Sequence, residues 1–147
     1  MNFTKAMKQQ FFLEKKEHGG KGDCSVKCVS IVCDVPYMVA HKALQQEGRI
    51  LGKGATYFQI RQAITALGYD LEDVEVEAKT MTTLDRDRQV QKGYFYALLR
   101  GHIASVVNGK IEDWSQGRRH KIIEVCKVTP AVSRKERKQR IKAIMGA

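Results

Sequence analysis

An α+β domain is the fold class this sequence predicts, with N-terminal helices packed on a C-terminal antiparallel β-sheet. Three observations point there. Helical periodicity and capping signals fill the chain up to about residue 68. Runs of β-branched and aromatic residues dominate from residue 74 to residue 128. An Asn-Gly pair at 108–109 joins two such runs and marks a hairpin. Helices and strands are segregated along the chain, which argues against alternating βαβ units.

Taken in order, residues 3–17 read as a first helix. The loop His18-Gly19-Gly20-Lys21-Gly22 stops it, with three glycines in five residues. Asp23 is a suitable N-cap for a helix over residues 24–33. That segment, Cys24-Ser25-Val26-Lys27-Cys28-Val29-Ser30-Ile31-Val32-Cys33, is apolar almost all round, so the helix should be central and buried. Pro36 opens a helix to about Gln46, with Gly48 just past its end. Thr56 caps a helix from Tyr57 to Leu67, closed by Gly68. Val74, Val76 and Ala78 alternate with Glu75 and Glu77 as a half-exposed strand. Thr82 or Thr83 caps a short helix through about Val90. Tyr94 to Arg100 reads as a buried strand, Ile122 to Val128 as another, and Pro130 to about Met145 as a basic last helix. Residues 1–147 form one domain in this reading, with 1–22 its N-terminal helix and loop and 130–147 its basic C-terminal helix.

Composition narrows the function classes. Hydrophobic residues are 43% and charged residues 29%, a globular balance. No apolar run is long enough to span a bilayer, and Met1-Asn2-Phe3-Thr4-Lys5 lacks the apolar core of a secretory signal, so no membrane partner is expected. Four cysteines are too few for a disulfide scaffold, and the expected compartment is the cytoplasm. The net charge of +10 is concentrated at the ends, +3 in residues 1–22 and +5 in residues 131–147, leaving +2 for the body. A basic C-terminal helix can bind an acidic partner or nucleic acid, or simply present a solvated face. Aromatic residues interleaved with the bases would favour nucleic acid, and the tail has none.

The hairpin fixes two side chains in space. A two-residue turn at 108–109 sets Val107 opposite Lys110, Val106 opposite Ile111 and Ala104 opposite Asp113. His102, Ala104, Val106, Ile111 and Asp113 then share a face, and Asp113 lies diagonally from His102, within reach of an aspartate–imidazole hydrogen bond. The plain alternative is a surface histidine near a surface aspartate. Cys24 would be the first residue of a buried helix after a glycine-rich loop. A helix N-terminus offers partial positive charge and unpaired N–H groups, which favour a thiolate and can hold an oxyanion. A cysteine, a histidine and an orienting aspartate are the parts of acyl-transfer catalysis. The plain reading of Cys24 is a small buried apolar residue, and Cys28, Cys33 and Cys126 fit that description better. Cys24-x-x-x-Cys28 has half the spacing of a zinc site, but a second close pair is missing, so no metal and no cofactor are expected.

Asp23-Cys24-Ser25-Val26, then Pro36-Tyr37-Met38-Val39-Ala40-His41-Lys42-Ala43-Leu44 and Gly48-Arg49, resembles a group of small phage and bacterial proteins. Their shared pattern is Asp-Cys-Thr/Ser-Val followed by Gly-His-x-x-x-Val-x-x-Gly-x-x-x-Asp. The second part is matched here by Gly101-His102, Val106, Gly109 and Asp113. That group resembles the papain-like cysteine peptidases, and the likeness spans about residues 22–128. It implies a papain-like fold with Cys24 as nucleophile, His102 as general base and then acid, and Asp113 as orienter. Papain-like enzymes commonly carry a glutamine just before the cysteine as oxyanion donor. Here the nearest upstream glutamines are Gln9 and Gln10, so His18 becomes the oxyanion candidate.

The function these observations imply is a thiol hydrolase, a cysteine peptidase or amidase acting on a peptide, isopeptide or amide bond of a peptide or protein substrate. The alternative is a phage-type binding protein that keeps the fold, is weak or inactive in catalysis, and acts on a host protein or nucleic acid through its basic termini.

Overall fold

The computed structural model describes residues 24–50 and 54–146. The helix expected over 3–17, the loop 18–22 with the oxyanion candidate His18, and the Asp23 cap lie outside the described residues. Secondary structure is α+β, with helices Cys24–Val32 (α1), Tyr37–Gln46 (α2), Tyr57–Ala66 (α3) and Arg134–Gly146 (α4) and strands Tyr69–Asp73 (β1), Tyr94–Leu99 (β2), His102–Val107 (β3), Lys110–Ile111 (β4) and Ile122–Pro130 (β5). The chain divides into two compact units, a helical one that ends at Tyr69 and resumes at Pro130, and a sheet unit, Asp70–Thr129.

In the helical unit α1 is the most buried helix, as its all-round apolar sequence requires. Its residues Val26, Cys28, Val29, Ile31 and Val32 are 2% exposed or less. It also buries two serines, and the Ser30 hydroxyl donates to Val35 O at 2.6 Å. Asp34 ends the helix at φ +52°, a left-handed conformation that a short polar side chain tolerates. Pro36 then sits at the N-cap of α2, where its fixed φ and missing N–H cost nothing. α2 packs against α1, α3 and α4. Thr56 and Gln59 close a capping box on α3: the Thr56 hydroxyl accepts from Gln59 N at 3.1 Å and the Gln59 side chain accepts from Thr56 N at 2.9 Å.

The last helix begins later than the sequence suggested. Pro130 ends β5, and α4 starts at Arg134 behind Ser133, whose hydroxyl accepts from Glu136 N at 3.1 Å. Its basic face is only partly solvated. Arg140 donates to Thr65 O at 3.2 Å and so satisfies a carbonyl in the last turn of α3, while Gln46 donates to Ile144 O at 3.3 Å and Ile144 is buried. No single described helix is long and apolar enough to cross a membrane; α1 and α2 pass that test only as a pair, bent by 113°.

The sheet unit holds five strands in the order β1-β5-β2-β3-β4. β2 pairs antiparallel with both β3 and β5, and β3 with β4. Val74 N–H donates to Val125 O, and outside the unit Ala131 N–H donates to Gly68 O, so β1 and β5 also run in opposite directions. One face of the sheet gives Phe95, Ala97 and Leu99 from β2, Ala104 and Val106 from β3, Ile111 and Val125 to a core closed by Met81, Leu84 and Val90.

The segment that covers this core departs from expectation. Residues 74–78 are not a strand, and the expected helix through Val90 is two 3-10 turns, Leu84–Arg86 and Arg88–Val90. Asp87, 8% exposed, is the cause of both. One carboxylate oxygen accepts from Glu77 N at 2.8 Å and Ala78 N at 3.0 Å, and the other accepts from Gln89 N at 3.0 Å. The amides that a strand partner would have taken are bonded to this side chain instead, and the extended backbone of Asp87 separates the two turns.

Asp87→Ala leaves three amides without an acceptor. It should lower stability by about 2 kcal/mol in urea unfolding, the cost of unmade bonds to a buried charged group. A loss under about 0.5 kcal/mol, the usual scatter of surface substitutions, would show that Asp87 does not organise this segment.

Candidate active site

The site residues on the sheet unit are positioned by the β3–β4 hairpin. Asn108 and Gly109 have φ of +49° and +80°, as a type I′ turn demands. The turn is tied to the start of β2, with Asn108 N donating to Gly93 O at 2.9 Å and Gly93 N donating to Asn108 Oδ1 at 2.8 Å. Val107 pairs with Lys110 and Val106 with Ile111, the register read from the sequence. Glu112 N still donates to Ser105 O at 3.0 Å, but the strand ends at Ile111, before the Ala104–Asp113 pairing that the register implies. Asp113 turns the chain instead. Its Oδ2 accepts from Ser115 N at 3.0 Å and from the Ser115 hydroxyl at 2.5 Å.

His102 opens β3, directly opposite Leu99 of β2 and on the core face of the sheet. Its Nε2 lies 2.7 Å from Asp113 Oδ2, and the two side chains are only 10% and 4% exposed. Burial by itself would raise the Asp113 carboxyl. The hydrogen bonds from His102 and Ser115, with the charge of His102, outweigh burial and hold it below the ordinary carboxylate value. Asp113 is therefore ionised near neutral pH and can only accept, so His102 Nε2 carries the proton in this pair.

Trp114 covers the pair from outside. Its ring is 57% exposed and lies 4.6 Å from the His102 ring, with His120 edge-on at 5.4 Å and the Arg118 guanidinium at 5.6 Å. The Trp114 and His102 rings are tilted by 36° to one another, so the indole flanks the imidazole rather than stacking flat on it.

Cys24 belongs to the helical unit, where it is the first described residue of α1. Of the four cysteines, all free thiols, it alone is not buried. Cys33 is the contrast: burial, and then the charge of Asp34, push its thiol far above the usual range, so it stays protonated. Cys28 is core, as expected. His102 and Asp113 are thus brought together, Cys24 stands at a helix end, and His18 lies outside the described residues.

Ser115 is a candidate site residue that sequence reading missed, while Trp114, one of the aromatic residues that could line a groove by sequence, is exposed and not core. An aspartate two residues before a serine is a local signal for such a turn, and it was available. Cys126 was also read only as core. It is buried, yet its sulfur lies 3.1 Å from Asp73 Oδ1 and 3.2 Å from Glu124 Oε1. Among the described residues these three side chains are the one group whose donor atoms, all within 4.8 Å of one another, suit a metal. Each contact is also one that a protonated thiol makes to a carboxylate, and that account needs no ion.

Compared with protein-family models, with curated proteins and with solved structures, the chain finds no match.

A carboxyl held below its ordinary value contributes stability that is present above the unfolded-state value of about 3.9 and is lost as pH falls through the folded value. Asp113→Asn should therefore lower stability most at pH 5–7, and its gap to the parent should close on acidification. Ser115→Ala should raise the Asp113 titration midpoint seen by carboxyl NMR. An unmoved midpoint would mean that Ser115 does not hold the carboxylate.

Proposed function

We propose that this chain is a thiol hydrolase with papain-like chemistry, in which Cys24 is the nucleophile and His102, oriented by Asp113, is the general base and then acid. The observation that carries the reading is the 2.7 Å contact between a nearly buried imidazole and an ionised carboxylate. Such a pair fixes the tautomer and stabilises the imidazolium that a proton-accepting histidine becomes. The only non-buried cysteine, at the start of α1, supplies the complementary part. The α+β order, with helices α1–α3 ahead of the strands, suits the papain-like arrangement that the sequence motifs imply.

In this mechanism His102 Nδ1 takes the Cys24 proton and the thiolate attacks the carbonyl carbon of a peptide, isopeptide or amide bond. The carbonyl oxygen becomes an oxyanion, which backbone N–H groups at the start of α1 would stabilise, with His18 as a further candidate donor. Collapse of the intermediate breaks the C–N bond, and the imidazolium gives its proton to the departing amine. Water activated by His102, or a second amine, then attacks the thioester, releasing the acyl group and restoring the thiol. The substrate class is a peptide or protein, and the expected compartment is the cytoplasm, that of the host if the gene is a phage's.

A second reading rests on α4, where Arg134, Lys135, Lys138 and Lys142 are exposed cations. A binding protein with weak or no catalysis would use them on an acidic partner or nucleic acid. Removing α4 is a poor test of that, because its anchors to α2 and α3 would go too.

Alkylation separates the two readings. A thiolate–imidazolium pair reacts below the ordinary thiol value of about 8.5. Under the first reading, iodoacetamide modifies Cys24 faster than the other three cysteines, and His102→Ala slows that reaction far more at pH 6 than at pH 9. Asp113→Ala acts in the same direction but more weakly. Slow modification at both pH values, indifferent to His102, would sink the hydrolase reading.

A further inference from the structure

The helical unit contains a second polar site that shares no residue with Cys24, His102 and Asp113. α4 carries Arg134, Arg137 and Lys138 at spacings of three and four, hence on one face, and all three line a cavity of about 240 Å³ with Asp34 at its rim. A cavity of that size holds far more than one water, whose share of liquid is about 30 Å³. Part of its lining is apolar, formed by Val35, Leu67 and Ile141 with the Tyr69 ring.

The cavity is held in shape from several sides. The Arg137 guanidinium lies 5.5 Å from the Tyr69 ring centre and donates to Val132 O at 2.6 Å, and the Tyr69 hydroxyl donates to Cys33 O at 2.8 Å. Gly68 sets the backbone beside it. At φ +98°, a Cβ there would come within 2.7 Å of Val132 and 3.0 Å of Arg137. Arg137 is thereby fixed as a wall, while Arg134 and Lys138 are exposed at the mouth, where they can close on a ligand. Three cations against one carboxylate leave the lining at a formal +2. That charge matches a phosphate monoester, which is close to a dianion at neutral pH. Arginine meets phosphate with its planar fork, and apolar walls accept an organic body.

We propose that this cavity is a binding site for a small-molecule phosphate monoester whose apolar or aromatic body packs on Tyr69, Leu67 and Ile141 while its phosphate meets Arg134, Arg137 and Lys138. The site is independent of the thiol chemistry, and Cys24→Ala should leave it intact.

Calorimetric titration of the full-length protein at low salt tests this with three probes: phenyl phosphate, inorganic phosphate and phenyl sulfate. Phenyl phosphate should bind with 1:1 stoichiometry and more tightly than either of the others, because inorganic phosphate lacks the body and phenyl sulfate carries only one charge. Arg134→Ala and Lys138→Ala, both at exposed positions that the fold tolerates, should each weaken it about fivefold, the scale of a partly exposed charge pair. Lys135→Ala removes the same charge outside the cavity and should change affinity less than about twofold, as expected of a screened distant charge. Asp34→Asn should strengthen binding. No saturable binding would overturn the proposal. So would equal losses at Lys135 and Lys138, which would make the effect general electrostatics, or phenyl sulfate binding as well as phenyl phosphate. Oligonucleotide binding with the same dependence on Lys135 as on Lys138 would instead make α4 a nucleic-acid surface.

Discussion

Both residues of the Asn108-Gly109 turn have positive φ, and the candidate site depends on that constraint more than on any other. A two-residue turn of this kind matches the twist of the strands and allows one register. Sliding β4 by one residue would turn Ile111 out of the core and carry Asp113 to the opposite face from His102. The register is reinforced on both sides: the turn asparagine exchanges hydrogen bonds with Gly93, and Val106 and Ile111 are paired within a core that would have to open for any slip. A catalytic pair needs its members held to a fraction of an ångström, and a hairpin anchored in a sheet does this better than two loops would.

Two aspartates show how the sheet unit tolerates buried negative charge. Asp87 and Asp113 each accept from more than one donor, and neither depends on a lysine or arginine partner in the contacts described above. At Asp87 all three donors are backbone amides, and the result is structural, a side chain standing in for a missing strand. At Asp113 one donor is an imidazole, and the same physics produces a different outcome. Local N–H and O–H groups keep the carboxylate charged, and the charge is passed on as orientation and stabilisation of His102.

What could be read from the sequence was whatever is settled locally. The Thr56 cap, the helix stops at Gly48 and Gly68 and the hairpin with its His102–Asp113 contact each depend on residues close along the chain, and each is found, the contact being made from a turn at Asp113 and not from a continued strand. Errors arose where a distant or competing partner decides. Residues 74–78 alternate like a strand, yet their amides answer to a carboxylate ten residues away. Pro130 looked like a helix start, but the strand runs through it and Ser133 makes a better cap three residues later. The last helix read as a solvated basic face, because nothing local says that Arg140 would complete the end of α3. Cys126 read as core because its two carboxylate neighbours come from pairing in the sheet, one from its own strand and one from β1. Ser115 is a local case too: its hydrogen bonds to Asp113 follow from an aspartate two positions earlier.

The sheet order leaves β1 and β4 as the outer strands. β4 has two residues, too short to template another chain. β1 is longer, Tyr69-Asp70-Leu71-Glu72-Asp73, and three of its five side chains are exposed carboxylates. A second molecule docking the same strand alongside would stack like charges across the new ladder, where cross-strand repulsion is strongest. Among the described residues the β1 rim is thus guarded by charge, and growth into strand-added oligomers is disfavoured along it.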